Sequence, residues 1–231
     1  NIACVGLGNQ GNANLQKVAG ENIVALCDID DSRTAKYAEK FPQAKRFADY
    51  RVMFDKMDKQ IDAVVVTTPN HTHAPIAIRA MRSGKHCYCE KPLAHSLHEV
   101  RLMARVAGEN NVVTQMGTQI HAEENYRRTV ALIRAGAIGP VSRVHVWFGR
   151  PSGFRRFALQ VDRPTDRPAV PSGVNWDLWI GPAPMRPYHP CYHPHDWHYW
   201  WDFGNGTLGN MSCHYLDLVF WALQLRHPTT V

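Results

Sequence analysis

Ile2-Ala3-Cys4-Val5-Gly6-Leu7-Gly8-Asn9-Gln10-Gly11 stands at the start of the chain and decides its fold. Ile2 to Val5 makes a short apolar strand, and Asn12 to Ala19 reads as a helix, so G-x-G-x-x-G lies between strand and helix. In that setting Gly6 permits the tight turn and Gly8 lets the backbone approach a pyrophosphate. Gly11 lets the helix pack on the strand, and Asn9 and Gln10 complete the turn. A second strand, Ile23 to Cys27, ends at Asp28, about 20 residues past Gly8, where a dinucleotide-binding unit places the acid that holds the adenosine ribose. A carboxylate there repels a 2′-phosphate, so NAD is favoured over NADP.

The alternation of strand and helix continues outward. Asp31 to Lys40 reads as a helix capped by Asp30 or Asp31, Ala44 to Phe47 as a strand and Tyr50 to Met57 as a helix. Ala63 to Thr67 is a β-branched run with no polar alternation, as expected of a strand covered on both faces. Thr68-Pro69-Asn70-His71-Thr72-His73 follows, then a helix from Ala74 to Ser83 stopped by Gly84. His86 to Cys89 is the next strand, ended by Pro92, which has no amide proton to give. Ser96 and Glu99 have the spacing of a capping box for a helix to Glu109, and Val112 to Met116 is a sixth strand. The pattern is α/β and doubly wound. Thr68, Pro69, Asn70 and His73 beyond the fourth strand, and Glu90 and Lys91 beyond the fifth, fall on the sheet edge where such folds bind ligands. They are the candidate contacts to a nicotinamide or its substrate; the competing readings are a backbone-bonded helix-start histidine and a solvated loop lysine.

Composition narrows the classes. The 231 residues suit one large domain or two small ones, and 45% apolar with 20% charged residues is ordinary for a globular chain. No apolar run reaches membrane-spanning length. The net charge of +6 is spread along the chain, which argues against nucleic acid as a partner. Cys87 and Cys89 share one strand face, and the six cysteines form neither a disulfide framework nor a paired CxxC signature. The chain begins on a strand without Met and stops at Thr229-Thr230-Val231 just after a helix, which reads as a segment of a longer protein whose leader is missing; a cytoplasmic and an exported protein are both compatible.

Gly6 to Gly11, Asp28, Thr68 to His73, Gly84-Lys85-His86-Cys87-Tyr88-Cys89-Glu90-Lys91-Pro92 and Ala135-Gly136-Ala137-Ile138-Gly139 together resemble the glucose–fructose oxidoreductase, inositol dehydrogenase and MocA (Gfo/Idh/MocA) family. The resemblance implies a Rossmann domain over residues 1–120. It implies a partial substrate and oligomerisation α/β domain, with a mostly antiparallel open sheet, over 121–231. It makes Lys91 the catalytic lysine and Lys91-Pro92 a candidate cis peptide. The expected reaction is hydride transfer at a sugar, polyol or related hydroxyl, in a homo-oligomer (dimer or tetramer).

In the second half, Asn125 to Ala135 reads as a helix and Val141 to Phe148 as a strand with one polar face. Pro151 to Pro171 reads as a loop, and Trp176 to Tyr188 resembles a stretch found in part of the same family. His189-Pro190-Cys191-Tyr192-His193-Pro194-His195-Asp196-Trp197-His198 has donors for zinc, but no spacing of a closed site; a substrate wall and plain packing are the other readings, and no metal is assigned. A helix is expected from Cys213 to Leu225. Gly206-x-Leu208-x-Asn210-x-x-x-His214 resembles the family element Gly-x-Leu-x-Asp-x-x-x-His, so His214 matches while Asn210 replaces the aspartate, and Asp217 is placed to orient His214. An amide cannot act as general base, so Asn210 is expected to hold a hydroxyl and His214 to take the proton. Two rival activities share these residues: a redox-neutral glycosidase that uses NAD transiently, and a non-catalytic dinucleotide-binding sensor.

Overall fold

The computed structural model describes residues 1–147 and 162–230. Six strands, β1 (Ile2–Val5), β2 (Ile23–Cys27), β3 (Lys45–Phe47), β4 (Ala63–Val66), β5 (His86–Glu90) and β6 (Thr114–Gly117), pair in parallel in the order β3-β2-β1-β4-β5-β6. Helices α1 (Asn9–Lys17), α2 (Asp31–Ala35), α3 (Tyr50–Met57), α4 (Asn70–Arg82) and α5 (Leu97–Glu109) connect them. The order reverses between β1 and β4, so the turns after these two strands splay apart and leave a crevice.

The absence of polar alternation in β4 has a direct cause. Val64 and Val66 bury with Ala3, Val5, Ala25, Cys27, Cys87 and Cys89 on the face covered by α3, α4 and α5. Val65 buries with Cys4 and Leu26 on the other face, under Leu15 of α1 and Tyr37 and Phe41. Each fully buried valine contributes about 1.5–3 kcal/mol. The six cysteines are free thiols, and Cys87 and Cys89 lie on the same face as expected.

Three helix boundaries differ from those the apolar spacing indicates. α1 starts at Asn9 rather than Asn12, so half of the glycine motif is helix; α4 starts at Asn70 rather than Ala74; and α2 stops at Ala35 instead of reaching Lys40. The first turns of α1 and α4 are polar because they face the crevice, which conceals them from a hydrophobic period. α5 carries the capping box, with Glu99 N–H donating to Ser96 Oγ (3.3 Å) and Ser96 N–H to Glu99 Oε2 (2.8 Å).

The second half adds α6 (Glu124–Arg134), α7 (Trp176–Ile180) and α8 (Gly206–Leu223). α8 starts two turns before the expected Cys213. Residues 141–147 are not a strand: a ladder needs a partner, and none of the described residues pairs with them. Phe148 and residues 151–161 of the expected loop lie outside the described residues. Among the described residues no helix is long and apolar enough to cross a membrane.

A third buried cluster is aromatic. Trp176, Trp179, Ile180, Tyr188, Cys191, Tyr192 and Phe203 pack together, with Trp176 and Trp179 stacked at 4.6 Å and Arg186 lying over Phe203 at 4.8 Å. Arg186 pairs with Asp202. The cluster is fastened to the sheet edge by main-chain bonds from Asn175 N–H to Ile29 O (2.9 Å) and Asp31 N–H to Gly173 O (3.1 Å). The buried His71 ring bonds to Trp179 O at 2.9 Å.

Candidate active site

The crevice between the β1 and β4 turns continues beneath the aromatic cluster as one groove of about 860 Å³. Gly6, Gly8, Asn9, Gln10, Asp28, Thr68, Pro69, Asn70, His73, Glu90, Lys91, Asn210 and His214 all line it, so the structure brings the candidate residues into one place, with Gly11 just below.

Gly6 has φ +84°, and a Cβ there would lie 2.5 Å from Thr67 O, so only glycine lets the two turns meet. A Cβ on Gly11 would strike the Gly6 carbonyl. Asp28 is buried, and its carboxylate accepts from Leu7 N–H (2.7 Å) and Asp30 N–H (3.0 Å), so it also organises the glycine turn. Burial raises its pKa, and the Arg33 guanidinium 3.7 Å away opposes that rise. Arg33 also fills the space over Gly8. It was not among the sequence candidates; its signal is a basic residue in the helix that follows Asp28.

Glu90 is buried as a tie beneath the groove. Its Oε1 accepts from Asn14 Nδ2 (2.9 Å) and Gln10 Nε2 (3.4 Å), and Asn14 Nδ2 also donates to Thr67 Oγ1 (3.2 Å). These bonds join α1, β4 and β5 at their groove ends, and Asn14 too is a residue the glycine motif does not mark. His73 is placed under the groove floor. Its Nδ1 faces Pro92 O at 2.8 Å and its Nε2 faces Thr68 O at 2.6 Å, so both nitrogens are occupied by main chain. Burial lowers its pKa against those two carbonyls and Glu90. Asn70 donates to Asn205 Oδ1 (2.8 Å), and Asn205 donates to His95 O (3.0 Å), which fixes the start of α8.

The Lys91-Pro92 bond is cis. Lys91 Nζ donates to Asn210 Oδ1 (2.6 Å) and to Asn210 O (3.1 Å). An ammonium has three protons, so one donor is left for a ligand. Burial lowers the lysine pKa. His214, one turn beyond Asn210 on α8, has its Nδ1 buried with no hydrogen-bond partner. Burial and the Lys91 charge lower its pKa, outweighing Glu90 and Asp217, so the ring is neutral and can accept a proton. Asp217 does not orient it: Asp217 Oδ2 bonds His121 Nδ1 at 2.7 Å, and His121 stacks on Trp221 at 4.1 Å.

The His-rich stretch gathers no metal set; no group of three or more ligating side chains that could hold a metal ion occurs among the described residues. Instead His193, Pro194, His195, Trp197 and His198 line the groove opposite the glycine turn. Buried polar atoms without partners concentrate there: Thr68 Oγ1, His193 Nδ1, His198 Nδ1 and His214 Nδ1 all belong to lining residues. A glycine cradle, a buried carboxylate at a strand end and four unmet polar atoms along one groove fit a dinucleotide.

Comparison with known proteins agrees with this geometry. A family model described as an oxidoreductase family with an NAD-binding Rossmann fold matches residues 1–118, and the model of the same family's C-terminal alpha/beta domain matches residues 124–231. Inositol 2-dehydrogenase of Salmonella typhimurium (strain LT2) is 30% identical over 147 residues, 61% of this chain and 43% of the relative. Levoglucosan dehydrogenase of Pseudarthrobacter phenanthrenivorans is 35% identical over 50% of this chain and 29% of its own length. The matches thus span less than half the length of these curated relatives. Among solved structures, myo-inositol 2-dehydrogenase from Lactobacillus plantarum superposes with a TM-score of 0.56 at 27% identity, covering 61% of this chain and 42% of that one.

Proposed function

The chain belongs to the Gfo/Idh/MocA oxidoreductase family, and from that premise we propose that it is an NAD-dependent dehydrogenase acting on a hydroxyl or ketone of a sugar or polyol. One observation carries the reading: a desolvated lysine pinned by Asn210 and a neutral His214 share the floor of a groove that also contains the glycine turn. Relatives named for inositol and levoglucosan support the substrate class.

Bound along the groove, the nicotinamide dinucleotide supplies the hydride acceptor. Thr68, Pro69 and Asn70 border its nicotinamide end and Asp28 its adenosine ribose, which favours NAD over NADP, although Arg33 softens the repulsion of a 2′-phosphate. In oxidation the substrate carbon gives up hydride while its hydroxyl proton passes to His214. Lys91 directs its remaining donor at the oxygen and stabilises the negative charge that grows there. Asn210 takes no proton; it keeps Lys91 from turning toward solvent.

Lys91→Ala tests this. NAD binding, followed by quenching of tryptophan fluorescence, stays within about twofold of the parent. NADH formation on a panel of inositols and anhydrosugars falls roughly 10²–10⁴-fold. Undiminished turnover in that variant refutes the assignment. Because the pKa of His214 lies below that of a free imidazole, the oxidation rate holds steady through neutral pH and declines only on the acid side.

A further inference from the structure

Residues 193–198 run along the groove between two fixed ends. One end is the main-chain clasp of Asn175 and Gly173 on Ile29 and Asp31. The other is the bond from His71 N–H to Phe203 O (3.3 Å) together with the bond of His95 Nε2 to Trp201 O (2.9 Å). Trp200 Nε1 donates to Cys191 O (2.9 Å), which ties the stretch across its own base. The segment is therefore a strap with its position set, and it covers the groove opposite the glycine turn.

Its buried His193 and half-buried His198 have different neighbours. His193 packs edge-on against Trp179 at 5.8 Å, in the cluster clasped to Ile29, and lies in the field of Arg33 and Asp30, the groups around the ribose acid Asp28. His198 has its backbone against Gly204, two residues before α8 with Asn210 and His214, and lies in the field of His195, Lys91 and His73, at the reactive end. Each has a buried Nδ1 with no partner among the described residues, and a buried polar atom left unmet is destabilising until a ligand meets it. The two vacancies occur at opposite ends of one groove, and a dinucleotide is a ligand with a polar group at each end.

We propose that the strap is the outer wall of the dinucleotide site, with His193 a specificity residue for the adenosine ribose half and His198 for the nicotinamide half. The inference rests on the dinucleotide reading of the groove and extends it to residues outside the Rossmann half. The cofactor is then held between two parts of the chain instead of lying on an open sheet edge, and neither histidine is a catalytic residue.

Calorimetric titration with NAD and with ADP-ribose, which lacks the nicotinamide, separates the roles. His193→Ala weakens both ligands by about tenfold or more, as expected for a lost hydrogen bond at their shared half. His198→Ala weakens NAD by about tenfold and leaves ADP-ribose within twofold. Parent-like binding of ADP-ribose to the first variant, or equal loss of both ligands in the second, overturns the proposal. If either variant melts well below the parent, hydrogen exchange on the parent decides: NAD slows the amides of residues 193–199, and an unchanged rate overturns the wall. A parent protein that binds neither ligand refutes the dinucleotide reading and the wall with it, whereas a binding parent with unaffected variants refutes the wall alone.

Discussion

The two halves of this molecule bury different materials. The sheet core is aliphatic: valine, alanine, leucine and methionine packed on both faces of six parallel strands. The cluster over the groove is aromatic and wired: His71 bonds to Trp179 O, Trp176 Nε1 donates to Arg186 O, and Arg186 donates to Asp202. Aliphatic packing is set by volume and tolerates exchange, while aromatic packing with hydrogen bonds is set by orientation. The difference teaches where precision is needed. The sheet has only to present its edge, but the cluster has to hold a wall at one distance from it.

The comparison breaks most readily at Phe203. The side chain is fully buried and touches His71, Trp179, Tyr192 and Arg186, so Phe203→Ala costs about 3–5 kcal/mol in urea denaturation. Acid gives the next largest effect. His71 is buried neutral with its pKa pushed down to about 4, as is His193, and His198 to about 3, all by burial. The unfolded chain takes up these protons first, near pH 6.5, so the stabilisation is complete above that pH and drains away as pH falls toward 4. His71 alone contributes a loss of about 2 kcal/mol by pH 5, at about 1.4 kcal/mol per pH unit. A melting series from pH 7 to 4.5 shows the drop, and His71→Asn flattens it. The sheet core, whose buried cysteines and Tyr37 stay protonated across this range, has no such dependence. Leu15→Met, a volume-conserving exchange in that core, costs under about 1.5 kcal/mol; a cost equal to that of Phe203→Ala would erase the distinction. Ser96→Ala removes one cap of α5 and lowers stability by about 1 kcal/mol, with NAD affinity unchanged.

The same contrast explains what could be read in advance. The strands, the order of elements and most residues of the groove follow from local pattern: β-branched runs, glycines between strand and helix, an acid at a strand end. Asn9 and Asn70 open their helices without a hydrophobic signal because those turns serve the groove, so the boundaries were displaced while the residues were found. Asn14 acts through partners distant in sequence, Thr67 and Glu90. Nothing near His71 announces a bond to Trp179, 108 residues away, and nothing near Asp217 announces that its carboxylate belongs to His121 rather than His214. The expected strand at 141–148 had the right period; its described residues pair with no other strand, and period alone does not make a ladder.

The bond that fixes the start of α8 carries a consequence for how the molecule comes into being. Asn70 and Asn205 meet across 135 residues, and closing a loop of that length costs on the order of 4 kcal/mol in chain entropy before any contact repays it. The strap has nothing to grip until the ends of β2, β4 and β5 are in place. A chain whose sheet has folded keeps an open groove until its second half returns to it, because residues of both halves line that groove.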